Sequence, residues 1–217
     1  MSRRWVRPAL WALAAGATVA DWVAVTTDNR RLEIIAKPTA MGGLTAATIA
    51  SGVTDRPGGR AAALGMVGGI GGDTALLWGD RPGLFEAGLG SFLLGHLAYL
   101  ESFRQRGMRR TAWIVPGAAV LAACVVASRD VVPAAHREGG LAASGPVAAY
   151  MGVIGGMSLA AWSTGDPVTG IGSSLFVISD TVLALDRFVA PVPHSGPGVM
   201  VPYLLGQALL AIGAVRS

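Results

Sequence analysis

The chain has 217 residues, of which 52% are hydrophobic and only 14% charged, and its mean hydropathy is +0.53. Because about a quarter of the residues in soluble domains are charged, this composition indicates a polytopic membrane protein and excludes a disordered chain. The single cysteine, Cys124, excludes a disulfide-stabilised secreted module. The net charge of +4 comes from arginines scattered between apolar runs, which argues against a nucleic-acid partner.

Eight apolar segments are long enough to cross a bilayer, which takes about 20 residues. We predict spans at 8–26, 33–52, 60–79, 84–102, 111–128, 146–162, 169–187 and 199–215. The first run resembles a signal peptide, but Asp21 and Trp22 stand where small cleavage-site residues belong, so we expect it to be retained. The sequence therefore predicts an all-α transmembrane helix bundle in which residues 1–217 form a single integral membrane domain.

The arginines predict the orientation of this bundle, because basic loops tend to remain cytoplasmic. With the N-terminus inside, ten arginines fall in inner segments and six in outer ones, and the cluster from Arg104 to Arg110 contributes most of the bias. We therefore predict that both termini are cytoplasmic. The chain has no recognisable internal repeat, so the sequence does not support an inverted-repeat transporter.

Four ionisable side chains stand out inside the predicted spans: Lys37, Asp73, His96 and Asp180. Each costs several kcal/mol at membrane depth and needs either a partner or a function. If the odd-numbered spans run outward, the lysine and both aspartates lie at mid-membrane or toward the outer side, where they can cluster. His96 then lies toward the inner half. The structural alternative for the aspartates is an interhelical hydrogen bond or salt bridge.

Helical spacing predicts which way these side chains face. Asp73 follows Gly69 by one turn, and a small-residue face turns toward other helices. Asp180 shares a stripe with Ser173 and Arg187 at seven-residue spacing, which also favours the bundle interior.

Two further features leave alternatives open. Lys37 precedes Pro38 inside a span, so a local helix break could line a polar pocket, whereas a pair with Glu33 four residues earlier would make it an interfacial anchor. His96 and Tyr99 share a helix face, and a lone histidine there is more often a packing residue than a catalyst.

The remaining motifs argue against other chemistries. No His-x-x-x-His, Cys-x-x-Cys or Gly-x-Ser-x-Gly pattern is present, so we expect neither a metal site nor a serine nucleophile. Two glycine pairs at four-residue spacing, Gly65 with Gly69 and Gly152 with Gly156, predict helix-packing sites. Such faces serve internal and oligomeric packing equally well, so the oligomeric state is left open.

Several segments taken together resemble the YhhN/TMEM86 family of membrane proteins. The matching segments are Lys37-Pro38-Thr39, Gly72-Asp73-Thr74-Ala75-Leu76-Leu77, Phe92-Leu93-Leu94-Gly95-His96-Leu97-Ala98-Tyr99, Pro146-Val147-Ala148-Ala149-Tyr150, Leu175-Phe176-Val177-Ile178-Ser179-Asp180, Arg187-Phe188, and Tyr203 with Gln207. The predicted count of eight spans agrees with the family. The segment holding Arg129, Asp130, His136, Arg137 and Glu138, predicted as a loop between the fifth and sixth spans, matches no family pattern.

The resemblance implies a cofactor-independent lysoplasmalogenase, which hydrolyses the vinyl ether of a lysophospholipid within the membrane. The two aspartates that matter in the family correspond to Asp73 and Asp180. Acid cleaves a vinyl ether, so one aspartate would be a protonated acid and the other a carboxylate that stabilises the cation and activates water. The supporting residues are expected to be Lys37, His96, Tyr99, Ser179, Tyr203 and Gln207.

Two other classes of function compete with this hypothesis. A small proton-coupled transporter would also use carboxylates inside the membrane. A non-enzymatic lipid-binding, structural or regulatory membrane protein would tolerate asparagine in place of both aspartates. The preference for arginine over lysine, with many alanines and glycines, is typical of GC-rich bacterial genomes, so we expect the bacterial cytoplasmic membrane as the location.

Overall fold

A computed structural model describes residues 3–108 and 113–217, and within them the chain forms seven α-helices and no strand. The helices are α1 (Arg3–Thr26), α2 (Arg30–Ala50), α3 (Gly59–Leu76), α4 (Leu84–Arg106), α5 (Ile114–Ser163), α6 (Pro167–Phe188) and α7 (Ser195–Arg216), and a 3-10 turn (Val53–Asp55) precedes α3. The prediction of an all-helical fold is confirmed. The predicted start of the fifth span at residue 111, together with Arg109 and Arg110 of the basic cluster, lies outside the described residues.

Helix α5 contains a sharp break. A straight helix of 50 residues would be about 75 Å long, well over the thickness of a bilayer core. Gly139 and Gly140 leave the helical conformation, and Gly140 has φ 61° and ψ −148°, a combination that essentially only glycine adopts. The break divides α5 into a first arm, residues 114–138, and a second arm, residues 141–163.

The two arms of α5 fold back against each other. The thiol of Cys124 in the first arm donates to the carbonyl oxygen of Met151 in the second, with sulfur and oxygen 3.2 Å apart. A Cβ added to Gly155 would lie 2.8 Å from Leu121, so the arms pack closely there. The predicted loop at 129–145 is therefore wrong, because residues 129–138 extend the first arm as helix.

Small residues allow the other close helix contacts. A Cβ on Gly65 would lie 2.9 Å from the ring of Tyr99, and one on Gly69 would lie 2.9 Å from Gln207, so the predicted packing role of this pair is confirmed. Gly152 and Gly156 have no neighbour within 4 Å of such a Cβ among the described residues. This pair therefore makes no close contact within the described part of the chain, where the neighbouring Gly155 faces the first arm instead.

Apolar side chains cover the outside of the bundle, while several charged groups lie inside it. Leu141 is 80% exposed and Leu94 68% exposed, whereas Asp21 is fully buried. Four helices are long and apolar enough to cross a membrane: Trp5–Thr26, Ile114–Ser163, Pro167–Phe188 and Ser195–Arg216. This distribution is that of an integral membrane protein. The predictions of eight spans and two cytoplasmic termini remain predictions.

Candidate active site

One polar cavity of about 200 Å³ lies between α1, α2, α3, α4, α6 and α7, and we call it the site cavity. It brings together three of the four ionisable residues singled out by the sequence, Lys37, Asp73 and Asp180. Two of the predicted supporting residues, Ser179 and Tyr203, line it as well. Asp73 is only 4% exposed, so its carboxylate faces this cavity rather than bulk water.

Each aspartate of the site cavity accepts a hydrogen bond from a tyrosine on a different helix. The Tyr203 hydroxyl on α7 donates to Asp73 on α3, with the two oxygens 2.7 Å apart. The Tyr150 hydroxyl on α5 donates to Asp180 on α6. Because each bond joins two helices, the positions of both carboxylates depend on the packing of the whole bundle.

The surroundings of the two aspartates differ in charge. Lys37 on α2 and Asp73 on α3 both line the site cavity and interact electrostatically. The Lys37 ammonium also donates to Glu33 with 2.7 Å between nitrogen and oxygen, so the predicted ion pair is present and the lysine faces the cavity too. Helix α2 continues through Pro38, which makes the predicted local break wrong. The side-chain hydroxyls in the turns that follow Pro38 do not interrupt α2 either.

A second hydrogen bond lies one turn away from Tyr203. The Tyr99 hydroxyl donates to the amide oxygen of Gln207, at 2.7 Å. Any side chain at Gly69 would meet both the Gln207 amide nitrogen and the Tyr203 hydroxyl, so these two groups lie side by side against α3. Gln207 therefore connects Tyr99 to the neighbourhood of Asp73.

The structure places His96 among aromatic rings rather than in the site cavity. Its ring centroid lies 4.7 Å from that of Phe176 and 5.2 Å from that of Tyr150. Neither ring nitrogen has a hydrogen-bond partner among the residues that the structure describes. Ser179, by contrast, lines the cavity and donates to the carbonyl oxygen of Val199.

Three further cavities adjoin the site. A narrow apolar cavity of about 40 Å³ shares Phe92 and Asp180 with the site cavity, and it leads to a lateral groove of about 490 Å³ between α4 and α5. A mouth cavity of about 630 Å³ shares Leu183 and Asp186 with the site cavity. The site thus has a hydrocarbon-lined side and a charged side. Within the described residues, no group of three or more acidic, histidine or cysteine side chains is arranged to hold a metal ion.

Comparison with known proteins gives the family. A sequence model of the YhhN family matches residues 32–214. The chain belongs to the YhhN family. It is 31% identical over 157 residues to lysoplasmalogenase TMEM86A of Bos taurus, a match that covers 67% of this chain and 61% of the relative. Human lysoplasmalogenase TMEM86B is 31% identical over 150 residues, a match that covers 67% of this chain and 59% of the relative. Human lysoplasmalogenase TMEM86A is 30% identical over 161 residues, which cover 71% of this chain and 65% of the relative.

The chain therefore matches about three fifths of the length of these curated YhhN relatives. No solved structure matches it. The family match begins at residue 32, so α1 lies outside it, although Val25 of α1 lines the site cavity.

The sequence alone does not identify two residues that lie beside the site cavity. In the sequence, Tyr150 stands out only as part of a family segment. The one further signal for it is that all three tyrosines of the chain lie within predicted spans. Asp21 was considered only as an argument against signal cleavage. It is fully buried, neither carboxylate oxygen has a hydrogen-bond partner among the described residues, and it interacts electrostatically with Lys37 and Asp73.

Proposed function

We propose that this protein is a membrane-embedded hydrolase that cleaves the vinyl ether bond of lysoplasmalogens to a fatty aldehyde and a glycerophospho-base. The observation that carries the proposal is the pair Asp73 and Asp180, which face one cavity from separate helices and are each held by a tyrosine. The lysoplasmalogenase names of the TMEM86A and TMEM86B relatives support it.

The surroundings of the two aspartates differ in charge, and this difference supports a separate role for each. Asp180 borders the apolar cavity, an environment that favours a neutral carboxylic acid. Asp73 lines the cavity that also contains Lys37, whose positive charge favours a carboxylate. We therefore assign Asp180 as the general acid and Asp73 as the carboxylate that stabilises the cation and activates water.

Hydrolysis then proceeds in three steps. Asp180 transfers its proton to the vinyl carbon remote from the ether oxygen, and the adjacent carbon becomes an oxocarbenium ion beside the Asp73 carboxylate. Water adds to that carbon as Asp73 accepts a proton from it, giving a hemiacetal. The hemiacetal collapses to the aldehyde as its hydroxyl proton returns to Asp180 and the departing glycerol oxygen takes the proton held by Asp73. One water is consumed and both aspartates regain their starting states.

The cavities match the two ends of such a substrate. The hydrocarbon chain lies in the apolar cavity beside Asp180. The positive charge of Lys37 stabilises the ionised Asp73, while Tyr203, supported by Gln207 and Tyr99, orients it. His96 supports Tyr150 through its ring contact, because it has no hydrogen-bonded route to the cavity through the described residues.

The test is aldehyde release from choline and ethanolamine lysoplasmalogens by detergent-purified protein. Asp73→Asn and Asp180→Asn should each abolish turnover, while Asp130→Asn, at an exposed position on the first arm of α5, is the matched control and should retain it. All three proteins should elute alike in size-exclusion chromatography. Aldehyde formation by Asp180→Asn at the parent rate would refute the mechanism. Substrate uptake into vesicles without aldehyde would instead favour the transporter hypothesis.

A further inference from the structure

The mouth cavity combines charges of both signs next to the site cavity. It is lined by Arg30 at the start of α2, Asp80 after α3, and Asp186 and Arg187 near the end of α6. All four lie at the same end of the bundle, where α2 begins and α3 and α6 end. Asp186 also borders the site cavity, so a ligand at the reacting carboxylates can extend directly into the mouth.

Arg187 is held in place by three neighbours. Its guanidinium carbon lies 5.3 Å from the ring centroid of Phe85 and 5.0 Å from that of Phe188. Its Nη1 also pairs with Glu138 on the first arm of α5, at 3.1 Å. Both rings line the apolar cavity, so the cation stands at the boundary between the hydrocarbon side and the charged side of the site. Cation–π stacking fixes a guanidinium in advance of ligand binding and so lowers the entropy cost of that binding.

Both arginines of the mouth have donors left for a ligand. Arg30 pairs with Glu33 through Nη1 alone, as Arg187 does with Glu138. About half of each arginine side chain is exposed, at 49% and 46%. A guanidinium carries five N–H donors in a fork that matches the oxygens of a phosphate. Each arginine can therefore bind phosphate while keeping its carboxylate partner.

The apolar cavity, the site cavity and the mouth meet at Leu76 and Leu183, and each suits one part of a lysoplasmalogen; this argument rests on the function proposed above. The apolar cavity adjoins Asp180, the site cavity holds both aspartates, and the mouth carries the arginines. With the alkenyl chain on the apolar side and the vinyl ether at the aspartates, the glycerol and its phosphate enter the mouth.

We infer that the mouth cavity is a phosphate subsite in which Arg187 and Arg30 bind the phosphodiester of the substrate, so that the enzyme selects phosphate-bearing lipids. The carboxylates of Asp80 and Asp186 face the same space and suit the ammonium of a zwitterionic head group. Phosphate recognition is thus separate from the vinyl ether chemistry, and it contributes to substrate binding more than to the chemical step.

Binding of a saturated ether tests the subsite without hydrolysis. Calorimetry in detergent should show that 1-O-alkylglycerophosphocholine binds at least about tenfold more tightly than 1-O-alkylglycerol, as expected for charge-assisted hydrogen bonds. Arg187→Gln and Arg30→Gln should each reduce that ratio toward one. Arg31→Gln, which removes an exposed arginine beside Arg30 but outside the mouth, should keep it.

Hydrolysis supplies the second measurement. For the parent protein, KM should be about tenfold higher for 1-alkenylglycerol than for the corresponding choline lysoplasmalogen, and Arg187→Gln should raise KM only for the phosphate-bearing substrate. Equal affinity for the two saturated ethers, or loss of the preference in Arg31→Gln as well, would overturn the subsite. Phosphate-selective binding without aldehyde from any substrate would refute the hydrolase and leave the subsite standing. Aldehyde from both substrates at equal KM would refute the phosphate subsite and leave the hydrolase standing.

Discussion

Removing the hydroxyl of Tyr203 tests whether the tyrosine–aspartate pairs orient the reacting carboxylates. Tyr203→Phe deletes the donor that lies 2.7 Å from the Asp73 carboxylate, at a side chain that is only 3% exposed. A hydrogen bond to a charged group contributes about 1.5–3 kcal/mol. If that contribution is expressed in the transition state, kcat/KM should fall by about 10- to 150-fold.

Tyr99→Phe is the matched control for this experiment. Tyr99 is also buried and also donates a hydrogen bond of 2.7 Å, but its acceptor is the neutral amide of Gln207. We expect it to reduce kcat/KM by no more than about tenfold, since a bond between neutral groups contributes about 1 kcal/mol. Aldehyde release over a range of substrate concentrations measures both variants. Unchanged kcat/KM in Tyr203→Phe, or an equal loss in both proteins, would refute the orienting role.

Three other predictions concern helix packing, a buried charge and a backbone conformation, and thermal unfolding in detergent measures each of them. Gly68→Ala places a Cβ 2.6 Å from the Cα atom of Gly95 and should destabilise the protein by about 1–3 kcal/mol, whereas Gly156→Ala meets open space and should not; equal effects would contradict the close contact. Asp21→Asn removes a fully buried carboxylate and should leave the unfolding temperature unchanged or higher, so a lower temperature would mean that the charge is paired. Gly140→Ala should destabilise the break in α5 by about 1–3 kcal/mol relative to Gly145→Ala, and a neutral result would show that the left-handed conformation is not required.

The helices outside α5 could be predicted from hydropathy and turn residues alone. Predicted spans at 33–52 and 169–187 correspond to α2 at Arg30–Ala50 and α6 at Pro167–Phe188. The region after the fifth span could not be predicted in this way. Charged residues such as Arg129 and Glu138 lower its hydropathy, yet they are compatible with a helix that continues until Gly139 and Gly140 interrupt it.

The candidate site was predictable in its ionisable residues but not in their partners. Lys37, Asp73 and Asp180 are conspicuous because charge inside an apolar span is costly. The tyrosines carry no such signal, since a tyrosine in an apolar run is equally suited to packing. Asp21 lies near a chain end, where it was taken for evidence about cleavage rather than for a buried charge beside the site.

The sequence by itself determined that the chain is a helical membrane protein, because composition and the lengths of apolar runs reflect the solvent around each helix. It also identified which aspartates require an explanation. Only the tertiary structure decided that Tyr203 holds Asp73 and Tyr150 holds Asp180, across helices that are far apart in the chain. The same holds for the mouth, where Arg30 and Arg187 line one cavity. Helical periodicity gives the face on which a residue lies, whereas the packing of small residues between helices decides which faces meet.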